Sequence, residues 1–197
     1  MDWAKFIAGD SKTRAVIDAE AVAKEHHLSL HAVQAALRRQ EKKGFVEHLS
    51  RTLYLNKLAP GVDQRELLNV VRPDAYISLE SALAEWGISK QIPNKLTCVS
   101  ATYDHDIKTP SVRISLHKIK KQLYWGITKK KGRYLTYHIA EPEKAFLDWI
   151  YIQRQNALPV TTDEFNLSSL DRSRLLNYSA KYPLPVQHDV QQALLHR

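Results

Sequence analysis

One stretch near the N-terminus carries the side-chain types that read nucleic-acid bases. In Ser29–Lys43, SLHAVQAALRRQEKK, the apolar residues Leu30, Val33, Ala36 and Leu37 recur at helical spacing and mark a buried face. His31, Gln34, Ala35, Arg38, Arg39 and Lys42 then project the other way. Glutamine pairs bidentately with adenine and arginine with guanine, and lysine or arginine neutralises phosphate. The small Ala32 and Ala35 let such a helix approach a major groove closely. The expected roles place Ser29, His31, Gln34 and Arg38 against bases, with Arg39, Lys42, Lys43 and Arg51 on phosphate or in the minor groove. The alternative is an ordinary solvated helix surface; the DNA reading is favoured because no acid interrupts this face before Glu41.

Other candidate chemistry lies further on. The segment 107–140 contains no acid, while Lys108, Arg113, Lys118, Lys120, Lys121, Lys129, Lys130, Lys131 and Arg133 give it a second positive surface. Tyr124, Trp125 and Tyr134 are interleaved with these cations. The surface is either a solvated basic face, an extension of the DNA footprint, or a contact for RNA or an acidic protein. Asp104-His105-Asp106, with Glu141, Glu143 and Lys144, offers the alternative of a Mg²⁺-dependent nuclease. The same residues are also what a strand-connecting loop and a helix start look like. His26 and His27 are adjacent at a helix end and point apart. Cys98, between Thr97 and Val99, reads as a buried strand residue. No phosphate loop, zinc spacing or nucleophile motif is present, so no catalytic residue, cofactor or metal is expected.

The elements that must hold the reading helix follow from local signals. Asp2–Gly9 is expected as a helix with Trp3, Phe6 and Ile7 on one side, Ala15-Val16-Ile17 as a short strand. Asp18 caps a second helix, with Glu20 in its first turn and Ala21, Val22 and Leu28 as its apolar face. Ser29 caps the third helix, and Gly44 ends it after Lys42 and Lys43. Phe45-Val46 and Leu53-Tyr54-Leu55 then form a hairpin with a basic tip, His48–Arg51. Helix, turn, helix and hairpin in this order make a winged helix-turn-helix. Gln40 stands where an apolar residue is usual, which predicts looser packing at the helix end. A winged helix that binds protein, as an adaptor, is the reading from another class.

The expected domains are 1–58, a linker over 59–75 marked by Ala59-Pro60-Gly61 and a polar helix from Asp63 to Val71, and 76–197. In the second domain Ser78 caps a helix stopped by Gly87. Leu96–Tyr103, Val112–His117, Leu123–Ile127 and Tyr134–Ile139 are expected strands, with Lys129–Arg133 as a basic turn. A core helix starts at Glu141-Pro142-Glu143, and two tail helices follow, Ser168–Lys181 and Pro185–Leu195. The fold class is α+β: a winged helix-turn-helix, then a mixed helix and antiparallel-sheet domain with C-terminal helices. The 197 residues carry 44% apolar side chains, one cysteine and a formal charge of +8, and the pI is about 9.5. These values suit a folded protein of a reducing, cytoplasmic compartment with polyanionic partners. No signal peptide or membrane span is expected.

Two segments of the second domain carry a resemblance. Tyr76-Ile77-Ser78-Leu79-Glu80-Ser81-Ala82-Leu83, followed by Trp86-Gly87-Ile88 and Ile92-Pro93, resembles a segment of the AbiEi-family antitoxins. So does Ile139-Ala140-Glu141-Pro142-Glu143-Lys144-Ala145-Phe146-Leu147-Asp148-Trp149-Ile150-Tyr151. A winged helix ahead of both is that family's arrangement, and the resemblance runs to about Arg154. It implies a type IV antitoxin associated with abortive phage infection. Its N-terminal domain would bind inverted repeats in its own promoter, as a dimer where both repeats are filled, and repress the operon. Its C-terminal domain would counter a cognate nucleotidyltransferase toxin without requiring a stable complex.

Overall fold

Each helix of the N-terminal part starts where a short polar side chain can accept an orphan N–H. The computed structural model describes residues 1–195, the Asp10 side chain excepted; the last two residues of the expected C-terminal domain lie outside the described residues. Asp2, Asp18, Ser29 and Asp63 cap α1 (Trp3–Asp10), α2 (Ala19–Glu25), α3 (Leu30–Lys42) and α4 (Gln64–Val71), accepting from Lys5, Glu20, Ala32 and Arg65. Each such cap is worth about 1 kcal/mol. Gly44, at φ +81°, takes the left-handed conformation that stops α3.

The chain divides into two compact units. Unit 1 comprises Met1–Pro73 with the segments Thr109–Ser111 and Lys131–Thr136. Its strands β1 (Val16–Asp18), β2 (Val46–Ser50) and β3 (Leu53–Asn56) form an antiparallel sheet in the order β1-β3-β2. Ile17 stands opposite Tyr54, and Glu47 opposite Leu55. Ile7, Ile17, Val22, Val33, Leu37, Val46 and Tyr54 form the core, with Trp3, Phe6, Leu30 and Phe45 packed against it. The wholly buried Asn56 stitches the module together. Its Nδ2 donates to the Ile7 carbonyl at 2.9 Å, and its Oδ1 accepts from Leu58 N–H at 3.0 Å.

Four expectations for this unit need correction. In α2 the buried face is Ala19, Val22 and Ala23, while Ala21 and Leu28 face solvent. A helix of seven residues has room for one i, i+3, i+4 set. Gln40 is only 7% exposed, and its Oε1 has no hydrogen-bond partner among the described residues, so the end of α3 is packed on the core. The hairpin tip is narrower than His48–Arg51: β2 runs to Ser50, with a bulge between His48 and Ser50, and Arg51-Thr52 makes the turn. The stretch 59–75 is no linker. Within it α4 buries Glu66, Leu67, Leu68 and Val71, and unit 1 extends to Pro73.

Unit 2 holds the remainder. It is built on β4 (Ala75–Ile77), α5 (Leu79–Glu85), β5 (Leu96–Ser100), β6 (Ile107–Lys108), β7 (Arg113–Lys118), β8 (Ile127–Lys131), β9 (Thr136–Ala140), α6 (Pro142–Gln155), α7 (Arg172–Ser179) and α8 (Leu184–Leu195). The six strands lie in the order β6-β7-β5-β4-β9-β8. The sheet is mixed rather than antiparallel, because β5 runs parallel to β7 and β4 parallel to β9. The expected strand Leu123–Ile127 begins only at Ile127, after a 3-10 turn at Lys121–Leu123. Residues 129–131, expected in a turn, belong to that strand; the first tail helix is shorter than expected, Arg172–Ser179, while the second, Leu184–Leu195, lies where it was expected. The architecture is thus mixed α and β. Among the described residues no helix is long and apolar enough to cross a membrane.

Candidate nucleic-acid interface

The periodicity that buries Val33, Ala36, Leu37 and Gln40 forces the intervening side chains of α3 outward. His31, Arg38, Arg39, Lys42 and Lys43 are exposed and Gln34 and Ala35 half-buried. Ser29 is exposed too, but its Oγ already accepts the Ala32 N–H at 3.2 Å, so it serves α3 first as a cap. The face therefore combines one amide, one imidazole and four cations.

The acid that interrupts this face is turned to another use. Glu41 Oε1 accepts the backbone N–H of His48 at 2.8 Å, tying α3 to β2. The His48 ring nitrogen lies 3.0 Å from the Arg51 carbonyl, and the ring packs 5.0 Å from that of Tyr54. The hairpin is thus fixed to α3 by residues that spacing alone did not single out. Glu47 is similarly occupied. Its carboxylate accepts from Thr109 Oγ1 at 2.7 Å, Ser111 N at 3.1 Å and Ser111 Oγ at 2.5 Å, all within unit 1.

Arg51 is exposed at the hairpin tip with φ +43°, a region where a side chain is strained. Arg51→Gly should therefore leave stability unchanged or raise it by up to about 1 kcal/mol, since glycine adopts this conformation freely at some entropic cost. If α3 binds DNA, as proposed below, the same substitution should also weaken that binding by removing a tip cation. Urea melts and gel shifts on one preparation separate the effects, and a clear loss of stability would show that the Arg51 side chain supports the turn.

The second basic set is divided between the two units. Lys118, Lys120, Lys121 and Lys129 are exposed on unit 2, Lys131 and Arg133 on unit 1. Lys130 does not join them: its Nζ is paired with Glu85 at 3.0 Å and sits 3.8 Å from the Trp86 ring centroid. Lys129 and Lys131 flank it on β8, an edge strand, where lysines also block strand addition. The interleaved aromatics are packed rather than presented for base stacking. Trp125 meets Tyr178 edge-on at 4.8 Å, Tyr124 meets Tyr76 at 5.4 Å, and Tyr134 Oη donates to the Pro60 carbonyl at 2.9 Å.

Three of the acids considered for a hydrolytic site, Asp106, Glu141 and Glu143, are also engaged structurally. Asp106 accepts from Lys95 Nζ at 2.6 Å and Ser115 Oγ at 3.0 Å; the Lys95 hydrogen bond, then Ser115, holds its carboxyl below the usual range. Glu141 accepts from Tyr178 Oη at 2.6 Å, and Glu143 from the Asp171 N–H at 2.9 Å. Among the described residues no three His, Cys, Asp or Glu side chains converge as a metal-holding group. His26 packs on Phe6, 5.8 Å between ring centroids, and His27 occupies the turn at φ +54°.

Lys144 lies instead at the centre of unit 2. Its buried ammonium pairs with the buried carboxylate of Asp148 and donates to Tyr76 Oη at 3.1 Å and Tyr182 Oη at 2.8 Å. Asp148 also accepts from Tyr76, Ser78 and Tyr182 at 2.9, 2.8 and 2.8 Å. Ser78 thus gives its hydroxyl to Asp148 and makes no side-chain cap on α5. Burial pushes the Lys144 ammonium down and the Tyr76 and Tyr182 hydroxyls well up.

Cys98 is wholly buried, and burial raises its thiol well above its ordinary value of 9.0. A thiol reagent at neutral pH should accordingly label the folded chain only at the rate of opening, and rapidly in denaturant. Fast labelling of the native protein would contradict its burial in β5.

Comparison with known proteins adds a likeness of fold. No family model and no curated protein matches this sequence. The fold is similar to that in the crystal structure of the RV2827C protein from Mycobacterium tuberculosis, with a TM-score of 0.61. The match covers 96% of this chain and 74% of that one at 10% sequence identity.

Proposed function

We propose that unit 1 is a winged helix-turn-helix that reads duplex DNA through α3, with the β2–β3 hairpin as its wing. The observation that carries this reading is the outward face of α3. It presents Arg38, Arg39, Lys42 and Lys43 together while Glu41, the acid among them, is bonded to the hairpin backbone. A helix of this width enters a major groove, and the adjacent hairpin tip carries Arg51 toward the flanking backbone.

We further propose that the chain is an AbiEi-like antitoxin that represses its own operon and counters a nucleotidyltransferase toxin. Support comes from the two quoted segments. Their residues Tyr76, Ser78, Lys144 and Asp148 meet in one buried network, and Trp149 Nε1 donates to Glu80 Oε1 at 3.1 Å across the same pair of segments. On this reading the shared residues maintain the scaffold of unit 2 and are not a reactive centre.

The test is a gel-shift titration with the duplex upstream of the chain's own gene, at two salt concentrations, against unrelated competitor DNA. Preferential binding that weakens with salt is expected. Equal binding to both duplexes would remove the repressor reading, and binding to neither would favour a protein-binding adaptor. Co-expression with the neighbouring nucleotidyltransferase tests the antitoxin half: growth rescue is expected, and unrelieved toxicity would refute it.

A further inference from the structure

The turn joining β8 to β9 has strands in the six-stranded sheet, yet its residues Lys131–Thr136 fall within unit 1. Unusual care is taken to fix it there. Glu66, 2% exposed, aims Oε2 at the backbone N–H groups of Tyr134 and Leu135, 2.7 Å from each. Charge-assisted bonds of this kind are stronger than neutral ones. Tyr134 Oη donates to the Pro60 carbonyl at 2.9 Å, and Gly132 N–H closes the turn on the Leu135 carbonyl at 2.9 Å. Only glycine fits at 132, because a Cβ there would stand 2.3 Å from Glu66 Cδ.

What this anchored turn presents outward is cationic: Lys131 and Arg133 are both exposed. It also joins a basic run. Lys42 and Lys43 end α3, and the Lys57 N–H donates to the Phe45 carbonyl at 3.0 Å, which brings exposed Lys57 beside that end. Pro60, three residues on, receives Tyr134. The acids along this route face inward or are paired. Glu41 holds His48, Glu47 holds Thr109 and Ser111, Glu66 holds the turn, and Asp63 is bonded to Arg65.

We infer that the Lys131–Arg133 turn is a second phosphate-contacting element of unit 1, engaging the backbone of duplex DNA independently of sequence. The inference rests on the reading of α3 as a DNA-binding helix. The buried carboxylate holds the backbone of the turn, so both charges reach a phosphate with little backbone ordering left to accomplish at the moment of binding.

The experiment compares the full chain with Lys131→Gln/Arg133→Gln, measuring affinity against salt for the upstream duplex and for a scrambled duplex of equal length. Each neutralised phosphate contributes about 0.9 to the slope of log affinity on log salt, so the double variant should lower that slope by about 1.8 on both duplexes. Glu66→Gln, which retains both surface cations but weakens the anchor, should produce part of that loss. An unchanged slope in the double variant, with wild-type binding intact, overturns this inference and leaves the α3 reading standing. A loss confined to the upstream duplex also overturns it, since that is the behaviour of a base contact. No binding of either duplex by the wild type overturns both.

Discussion

Replacing Arg38 and Arg39 together by alanine should abolish specific binding to the upstream duplex while leaving the fold intact. Both side chains are exposed on α3, and no core contact depends on them. Substitutions at such sites change stability by no more than about 0.5 kcal/mol. Their expected part in binding is far larger. A bidentate arginine contact to guanine is worth about 1–3 kcal/mol of discrimination, and a phosphate contact adds a salt-dependent increment. Together they predict a loss of affinity on the order of a hundredfold or more. Arg38→Lys/Arg39→Lys should retain the salt slope yet lose preference for the upstream DNA, because lysine keeps the charge without the planar fork. The check is a fluorescence-anisotropy titration beside a thermal melt for each variant. Affinity within twofold of wild type in the alanine double variant would remove α3 from the account of binding.

The sequence was informative wherever a local rule decides. Asp18, Ser29 and Gly44 marked helix ends because capping and the left-handed turn depend on a few neighbouring atoms. The spacing of Val33, Ala36 and Leu37 likewise oriented the basic face of α3. Legibility failed where a residue answers to a distant partner. Ser78 has the composition of a cap, yet its hydroxyl is taken by Asp148, 70 positions away. Lys130 reads as one of three adjacent surface cations until strand alternation turns it toward Glu85. Glu66 gave no signal in a stretch that looked like a polar linker, because what it binds is backbone N–H, which carries no side-chain identity. The acid-free composition of 107–140 was real, but composition does not say that its cations are divided between two units.

The largest effect on stability is expected at Asp148. Asp148→Asn leaves the buried Lys144 ammonium without a carboxylate, and breaking a buried pair in this way costs about 3–5 kcal/mol. That is a large share of the roughly 5–15 kcal/mol that stabilises a typical domain. The two partners should not be equivalent. Asp148 also accepts hydroxyls from Tyr76, Ser78 and Tyr182, so removing it disturbs three further donors. Lys144→Met leaves a carboxylate that still receives those three bonds, and it should cost less. The double variant should lose less than the sum, since neither charge then lacks its partner. The tyrosines add a dependence on pH. Burial, then Asp148, raises Tyr76 and Tyr182 well above their ordinary value of 10.0, so their contribution is whole below that pH. It is lost as pH rises beyond it, because the unfolded hydroxyls ionise first. Lys144, lowered by burial, acts in the opposite sense below its ordinary value of 10.5, but it is one group against two. Urea titrations followed by tryptophan fluorescence suit the measurement, since one of the four tryptophans, Trp125, has Lys144 Nζ 5.3 Å from its ring centroid. A Lys144→Met variant less stable than Asp148→Asn would reverse the assignment, because it would place the greater need for a partner on the carboxylate.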